Sequence, residues 1–196
     1  MSVLTLVSIV IAYSSYKANV QKLSEDRARD RDKELLAQTQ KSLEWAYAVL
    51  TADGKTIPPE PDRLNWLTAA RHLLRAKKLA GRIEDSTYRT VYEEIEEYWR
   101  QMFYAALSHE RLRSWTYYAD QTKPEWPEKI EITSALVIVD FSNWKEGTPD
   151  PTDEVDRDDL IKNRSGLKGG AGRGLESYLF RIEEIKAQRN AGRSNA

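Results

Sequence analysis

The sequence predicts a mainly α-helical protein, and three observations carry that expectation. Apolar side chains recur at helical spacing in three stretches between Leu35 and Leu107. Asp62 and Asp85 stand before two of these stretches, and Gly54 and Gly81 close two of them, as helix start and stop signals do. Only one segment, Lys129 to Phe141, has strand character, and no second one exists to pair with it.

Composition narrows the function classes. The 196 residues are 31% charged and 40% hydrophobic, ordinary values for one domain with a real core. Thirty Lys and Arg against 31 Asp and Glu leave a net charge of −1, which argues against a nucleic-acid partner, whose binding would rest on neutralised phosphates. The absence of cysteine excludes disulfides, thiolate zinc sites and thiol nucleophiles. Two histidines, His72 and His109, leave little for a His-rich metal site or a triad. Neither has a spaced ligand or nucleophile partner, so no catalytic, cofactor-binding or metal-ligating residue is assigned.

The first element is an expected membrane anchor, residues 1–16. Ser2 to Tyr16 is a run of 15 residues without a charge, in which Val3, Leu4, Leu6, Val7, Ile9, Val10 and Ile11 supply the apolar surface. The run is short for a spanning helix, which needs roughly 20 apolar residues. No Lys or Arg precedes it, while Lys17, Lys22, Arg27, Arg29, Arg31 and Lys33 follow, so the positive-inside rule puts the body on the cytoplasmic side and the N-terminus outside. Tyr13 and Tyr16 lie where an aromatic belt would sit, and Lys17 can snorkel to the headgroups. A cleaved signal peptide is the competing reading, but its basic leading region is missing. A buried element opening a soluble domain is the plain structural one.

Residues 17–34 are almost wholly polar and contain no Gly or Pro, which suits a charged helical stalk or linker that packs against nothing. Residues 35–108 then read as a three-helix, up-down bundle. Its first helix, Leu35 to Leu50, aligns Leu36, Leu43 and Leu50 with Thr39 and Ala46, and stops near Gly54. A connection with Pro58, Pro59 and Pro61 leads to Asp62, the cap of a second helix from Arg63 to about Ala80. Trp66, Leu67, Ala70, Leu73 and Leu74 form its apolar stripe. The third helix follows Asp85 or Ser86 and runs to about Leu107, with Val91, Ile95, Tyr98, Met102 and Ala105 at 4-3-4-3 spacing and Tyr88, Tyr92, Trp99 and Phe103 beside them. Trp45, Trp66 and Trp99 fall one per helix and suggest a shared core cluster.

Residues 109–196 are a less regular extension with an aromatic arm, an apolar element and a terminal helix that packs on the bundle. Leu112 to Tyr118 is aromatic, either a helical turn or an extended arm. Lys129 to Phe141 is strand or helix; the helical version is capped by Ser134 and covers Ala135 to Phe141. Gly174 to about Gln188 reads as the terminal helix.

Several patterns bear on chemistry. Arg71, Arg75, Lys78 and Arg82 make a basic stripe on the second helix, expected to face the acidic Glu93, Glu94, Glu96 and Glu97 of the third. Asp153, Glu154, Asp156, Asp158 and Asp159 are dense in oxygen ligands but lack the register of a calcium loop. Gly166, Gly169, Gly170, Gly172 and Gly174 precede a helix without the Gly-Lys-Ser/Thr ending of a phosphate loop. Leu136-Val137-Ile138-Val139-Asp140 resembles the strand-then-aspartate opening of haloacid-dehalogenase-type phosphatases. That resemblance covers five residues, and Ser142 stands where the second aspartate of the motif belongs.

The leading functional expectation is a non-enzymatic, membrane-tethered adaptor with two partners, the bilayer and a protein. Trp115, Tyr117, Tyr118 and Trp126 are the candidate partner surface; the glycine-rich C-terminal segment is a second place for it. One alternative is a small metal- or phosphate-dependent enzyme using Asp140, the Asp153–Asp159 carboxylates and the glycine loop. Another is a membrane-active toxic effector acting through residues 2–16.

Overall fold

A computed structural model describes residues 3–120, 122–123, 128–144, 147, 150–156, 159, 162 and 171–194. For residues 3–12, 171–173, 176 and 189–194 it describes the backbone alone. Six α-helices are present among them: α1 (Val3–Thr51), α2 (Arg63–Ala80), α3 (Ser86–Leu107), α4 (Trp115–Tyr118), α5 (Ile132–Ser142) and α6 (Ala171–Ser194). The described residues contain no strand, only an isolated antiparallel bridge between Ala119 and Glu128.

The chain divides into two compact units, residues 1–145 and 146–196. In the second, Asp150 accepts hydrogen bonds from the Thr152 amide and hydroxyl and so caps the short turn Pro151–Glu154. The 24-residue α6 follows.

What composition divides into anchor, stalk and first helix is a single helix. Nothing between Val3 and Thr51 is Gly or Pro, so no residue interrupts the backbone ladder across the change from apolar to charged. At 1.5 Å per residue these 49 residues make a rod of roughly 73 Å. Every residue from Tyr13 to Arg31 is exposed, and Asp32 is the first of the rod to be buried. Among the described residues no helix is long and apolar enough to cross a membrane. The expected transmembrane anchor is therefore not supported, and length is the reason. The 15 uncharged residues amount to about 22 Å of helix against a hydrocarbon core of about 30 Å.

The rod ends in three residues of left-handed conformation, Ala52, Asp53 and Gly54, so the reversal begins two residues before the glycine that signals it. Thr51 fastens this corner: its hydroxyl donates to the Tyr47 carbonyl and accepts from the Gly54 amide. Asp62 caps α2 by accepting from the Asn65 amide at 2.8 Å, as its position predicts. The 18 residues of α2 run back beside α1, because the segment after α2 returns to Asp32. Gly81 ends α2 in right-handed rather than left-handed conformation.

That return contact is the main surprise of the stalk. Asp32 is buried, and one of its carboxylate oxygens accepts the amides of Glu84 (2.8 Å) and Asp85 (2.7 Å). Arg31 bridges Asp32 and Glu84 at 3.0 and 2.8 Å. The Asp85 amide bond, then those from Glu84 and Arg31, hold the Asp32 carboxyl below its ordinary range against the opposing effect of burial. Asp85 in turn caps α3 by accepting from the Thr87 and Tyr88 amides. The acid of the rod thus anchors the segment that starts α3.

The body is a four-helix arrangement rather than three. α2 and α3 each pack on α1 and on α5. One continuous core includes Leu43, Ala46, Tyr47 and Leu50 of α1, Trp66, Ala69, Ala70 and Leu73 of α2, Phe103 and Ala106 of α3, and Ile138 of α5. The alanines of α2 let its backbone approach closely, while Leu74 of the expected stripe faces outward. On α3 the inward face is rotated from the expected one. Phe103 and Ala106 are buried and Tyr92, Trp99 and Met102 partly so, whereas Val91, Tyr98 and Ala105 are exposed. Trp66 and Trp99 belong to the core assembly, but Trp45 is 46% exposed, its ring 5.6 Å from His72. Arg100, buried at the α3–α5 contact, lies 3.4 Å from Glu96, 3.3 Å from Glu97 and 5.8 Å from the Phe141 ring.

Candidate functional site: an apolar groove beside α5

The segment after α3 folds into a compact support for α5. His109 Nδ1 accepts the Arg111 amide and starts the turn Glu110–Arg113, whose Leu112 is buried. Ser114 caps the four-residue α4. Tyr117 is only 6% exposed and donates its hydroxyl to the Pro59 carbonyl at 2.6 Å, with its ring edge-on to Trp66. Burial above all pushes its phenol above the usual range, so it remains a donor. The Lys129 amide then bonds the Tyr118 carbonyl at 2.9 Å and brings the chain back alongside α4. Ile130 is buried, and Glu131 caps α5 by accepting from the Thr133 and Ser134 amides.

Residues 132–142 are therefore helical, with the cap at Glu131 instead of Ser134, three residues earlier than the spacing suggests. This removes the phosphatase resemblance: Leu136 to Asp140 is helix, so Asp140 does not follow a strand.

The orientation of α5 is the unusual feature. Ser134, Ile138 and Ser142 face the core, while Ile132 and Leu136 are 58% and 64% exposed, with Val139 continuing their face. These three are spaced i, i+4, i+7, one stripe along the outside of the helix. A helix apolar all round is normally covered on every side. Here the outer stripe meets Tyr118, Ala119, Glu128, Ile130 and Ala135 to form a half-open groove of about 420 Å³.

The groove is apolar because nearby charges are engaged elsewhere. The Glu131 carboxylate is held below its ordinary range by the Thr133 and Ser134 bonds of the cap. Lys129 Nζ donates to the Thr116 carbonyl at 3.2 Å. Tyr118, its phenol pushed up by burial, is neutral and lines one wall. Glu128 supplies the one carboxylate among the lining residues. The lining residues include no nucleophile and no acid–base pair, and an apolar group placed there would be removed from water.

The four aromatic residues expected at a partner surface separate. Tyr118 lines the groove, Trp115 is exposed on α4, and Tyr117 is a core residue. Trp126 lies outside the described residues. Ile132, Leu136 and Val139 escape a reading of the sequence that leaves 129–141 open between strand and helix. Laying that segment on a helix puts them on one side, opposite Ser134.

The other patterns fall as follows. The backbone of Val3 to Ile11 forms the start of α1, and Tyr13, Tyr16 and Lys17 are exposed. Arg71, Arg75, Lys78 and Arg82 are all exposed and make no ion pair among the described residues; Glu96 and Glu97 pair with Arg100 instead. Asp158, Gly166, Gly169 and Gly170 lie outside the described residues. Among the described residues no group of three or more His, Cys, Asp or Glu is placed to hold a metal ion.

Comparison of the chain with protein-family models, with curated proteins and with solved structures finds no match in any of the three.

Proposed function

We propose that this protein is a membrane-tethered adaptor whose body captures an apolar segment of a protein partner in the groove beside α5. The observation that carries the proposal is the outward-facing Ile132–Leu136–Val139 stripe, with its groove walled by Tyr118 and Ile130. Covering such side chains contributes about 1.5–3 kcal/mol for each one fully buried, which gives a partner helix or strand a reason to settle there.

The tether is the uncharged end of α1. A segment of about 22 Å enters lipid without crossing it, and Tyr13, Tyr16 and Lys17 mark the level of the headgroups. The cations from Lys17 onward favour the anionic cytoplasmic leaflet, which sets the body on the cytoplasmic side. The exposed part of α1 then acts as a stiff link between lipid and body.

Affinity capture from detergent-solubilised cells tests the groove. The unaltered chain should recover a partner that an Ile132→Asp/Leu136→Asp chain does not. An identical set of proteins from both chains would refute the groove as a partner site. Flotation with phospholipid vesicles tests the tether: the full chain should rise with the vesicles, and a chain lacking residues 2–16 should not.

A further inference from the structure

The helix α2 carries Arg63, Arg71, Arg75, Lys77 and Lys78 and not one Asp or Glu. Its core side is made by Trp66, Ala69, Ala70, Leu73, Ala76 and Ala80. At 100° per residue, Arg71, Arg75 and Lys78 fall diametrically opposite that side, and Arg82 prolongs their line beyond the helix. All four are exposed, and the acids that could neutralise them from α3 are engaged with Arg100 or face outward on another helix. The result is a ridge of one sign, uncompensated among the described residues, with exposed Leu64 and Leu74 at its margins.

We infer that this ridge is a second membrane contact, binding an anionic lipid surface through Arg71, Arg75, Lys78 and Arg82. The inference rests in part on the tether proposed above. A short apolar insertion gives only weak anchoring by itself, and stable attachment takes a second signal, for which a polybasic patch serves. Charge complementarity favours lipid phosphates and carboxylates as the occupant, and the flanking leucines suit a headgroup layer better than they suit water. Geometry then fixes the posture of the rod. From Lys17 to Asp32, next to the end of α2, is about 22 Å of helix, more than twice the Debye length of roughly 8 Å. An upright rod would hold the ridge out of electrostatic range. Engagement therefore requires α1 to lean, with α2 on its lower side.

The test is sedimentation of the full chain with phosphatidylcholine vesicles and with vesicles containing phosphatidylserine. The expected result is tighter binding to the anionic vesicles, with an increment that disappears in high salt. Replacing the four cations (Arg71→Gln, Arg75→Gln, Lys78→Gln, Arg82→Gln) should weaken anionic-vesicle binding on the order of a thousand-fold. It should leave binding to neutral vesicles unchanged. A second variant that keeps the charge (Arg71→Lys, Arg75→Lys, Arg82→Lys) should bind as the unaltered chain does, and an unchanged helical circular-dichroism spectrum and Tm of the Gln variant exclude misfolding as the cause of its loss. Equal binding to the two vesicle types, or no loss in the Gln variant, would overturn the inference. So would salt-sensitive binding to polyglutamate without a phosphatidylserine dependence, because the ridge would then serve an acidic polypeptide. Failure of the tether shows separately, as absence of binding to neutral vesicles.

Discussion

α2 and α5 are both surface helices on one core, yet they resolve their two faces in opposite ways. α2 sends Trp66, Leu73 and its alanines inward and leaves cations in water. α5 sends Ser134 and Ser142 inward with Ile138, and leaves Ile132 and Leu136 in water. The first arrangement is complete in solvent. The second leaves apolar surface exposed among the described residues. The difference teaches that an outward apolar stripe carries more functional information than an inward one, because packing of the domain itself does not explain it.

Substitutions sharpen the contrast, and the largest effect belongs to the inward face of α2. Trp66 is fully buried, so Trp66→Ala should cost about 3–5 kcal/mol of unfolding free energy in a denaturant titration. A loss under 1 kcal/mol would mean that α2 is not the core helix described. Second is Asp32→Ala, which leaves the Glu84 and Asp85 amides without their acceptor and detaches α1 from the start of α3. Thermal denaturation should show a Tm lower by about 5 °C. Because the native carboxyl lies below its ordinary range, its contribution is fully present above pH ~4 and is lost as the pH falls toward the native value. The Tm gap to the variant should accordingly be constant from pH 5 to 8 and narrow below pH 4.

Third, Tyr117→Phe removes the hydrogen bond to Pro59 and should cost about 1 kcal/mol near neutrality. Burial raises this phenol, so its contribution holds below pH ~10 and is lost as the pH rises above that. In alkaline solution the unaltered protein should lose its advantage over the Phe variant. The smallest stability effect is expected where the functional effect is greatest. Leu136→Asp, on the open side of α5, should change unfolding free energy by no more than about 0.5 kcal/mol while abolishing partner capture. A large destabilisation there would show that the outer face of α5 is structural after all.

These outcomes bear on what the sequence makes legible. α2 and α3 are readable because their apolar residues keep helical spacing and Asp62 and Asp85 announce their starts with local hydrogen bonds. The continuity of α1 is readable too, since nothing in it breaks a helix, but the sharp change in composition at Lys17 and again at Leu35 suggests boundaries that the backbone does not have. Asp32 is opaque for a different reason. Its partners lie 52 and 53 residues away, and in its neighbourhood it is one more charge in a polar run. Tyr117 and Tyr118 show the limit at the groove: adjacent aromatics of the same type, one wholly in the core and the other packed against it while also lining the groove, divided only by the short helix that carries them. α5 is the hardest case, because Val and Ile favour strand while no partner strand exists, and its apolar residues surround the helix instead of marking one side.

Site-specific photo-cross-linking in cells tests the central claim most directly, with a photoreactive amino acid placed at Leu136 in one chain and at Arg75 in another. The account predicts one discrete protein adduct from position 136, lost when Ile132→Asp is added, and no such protein adduct from position 75. No adduct at 136, or the same adduct at both positions, would contradict it.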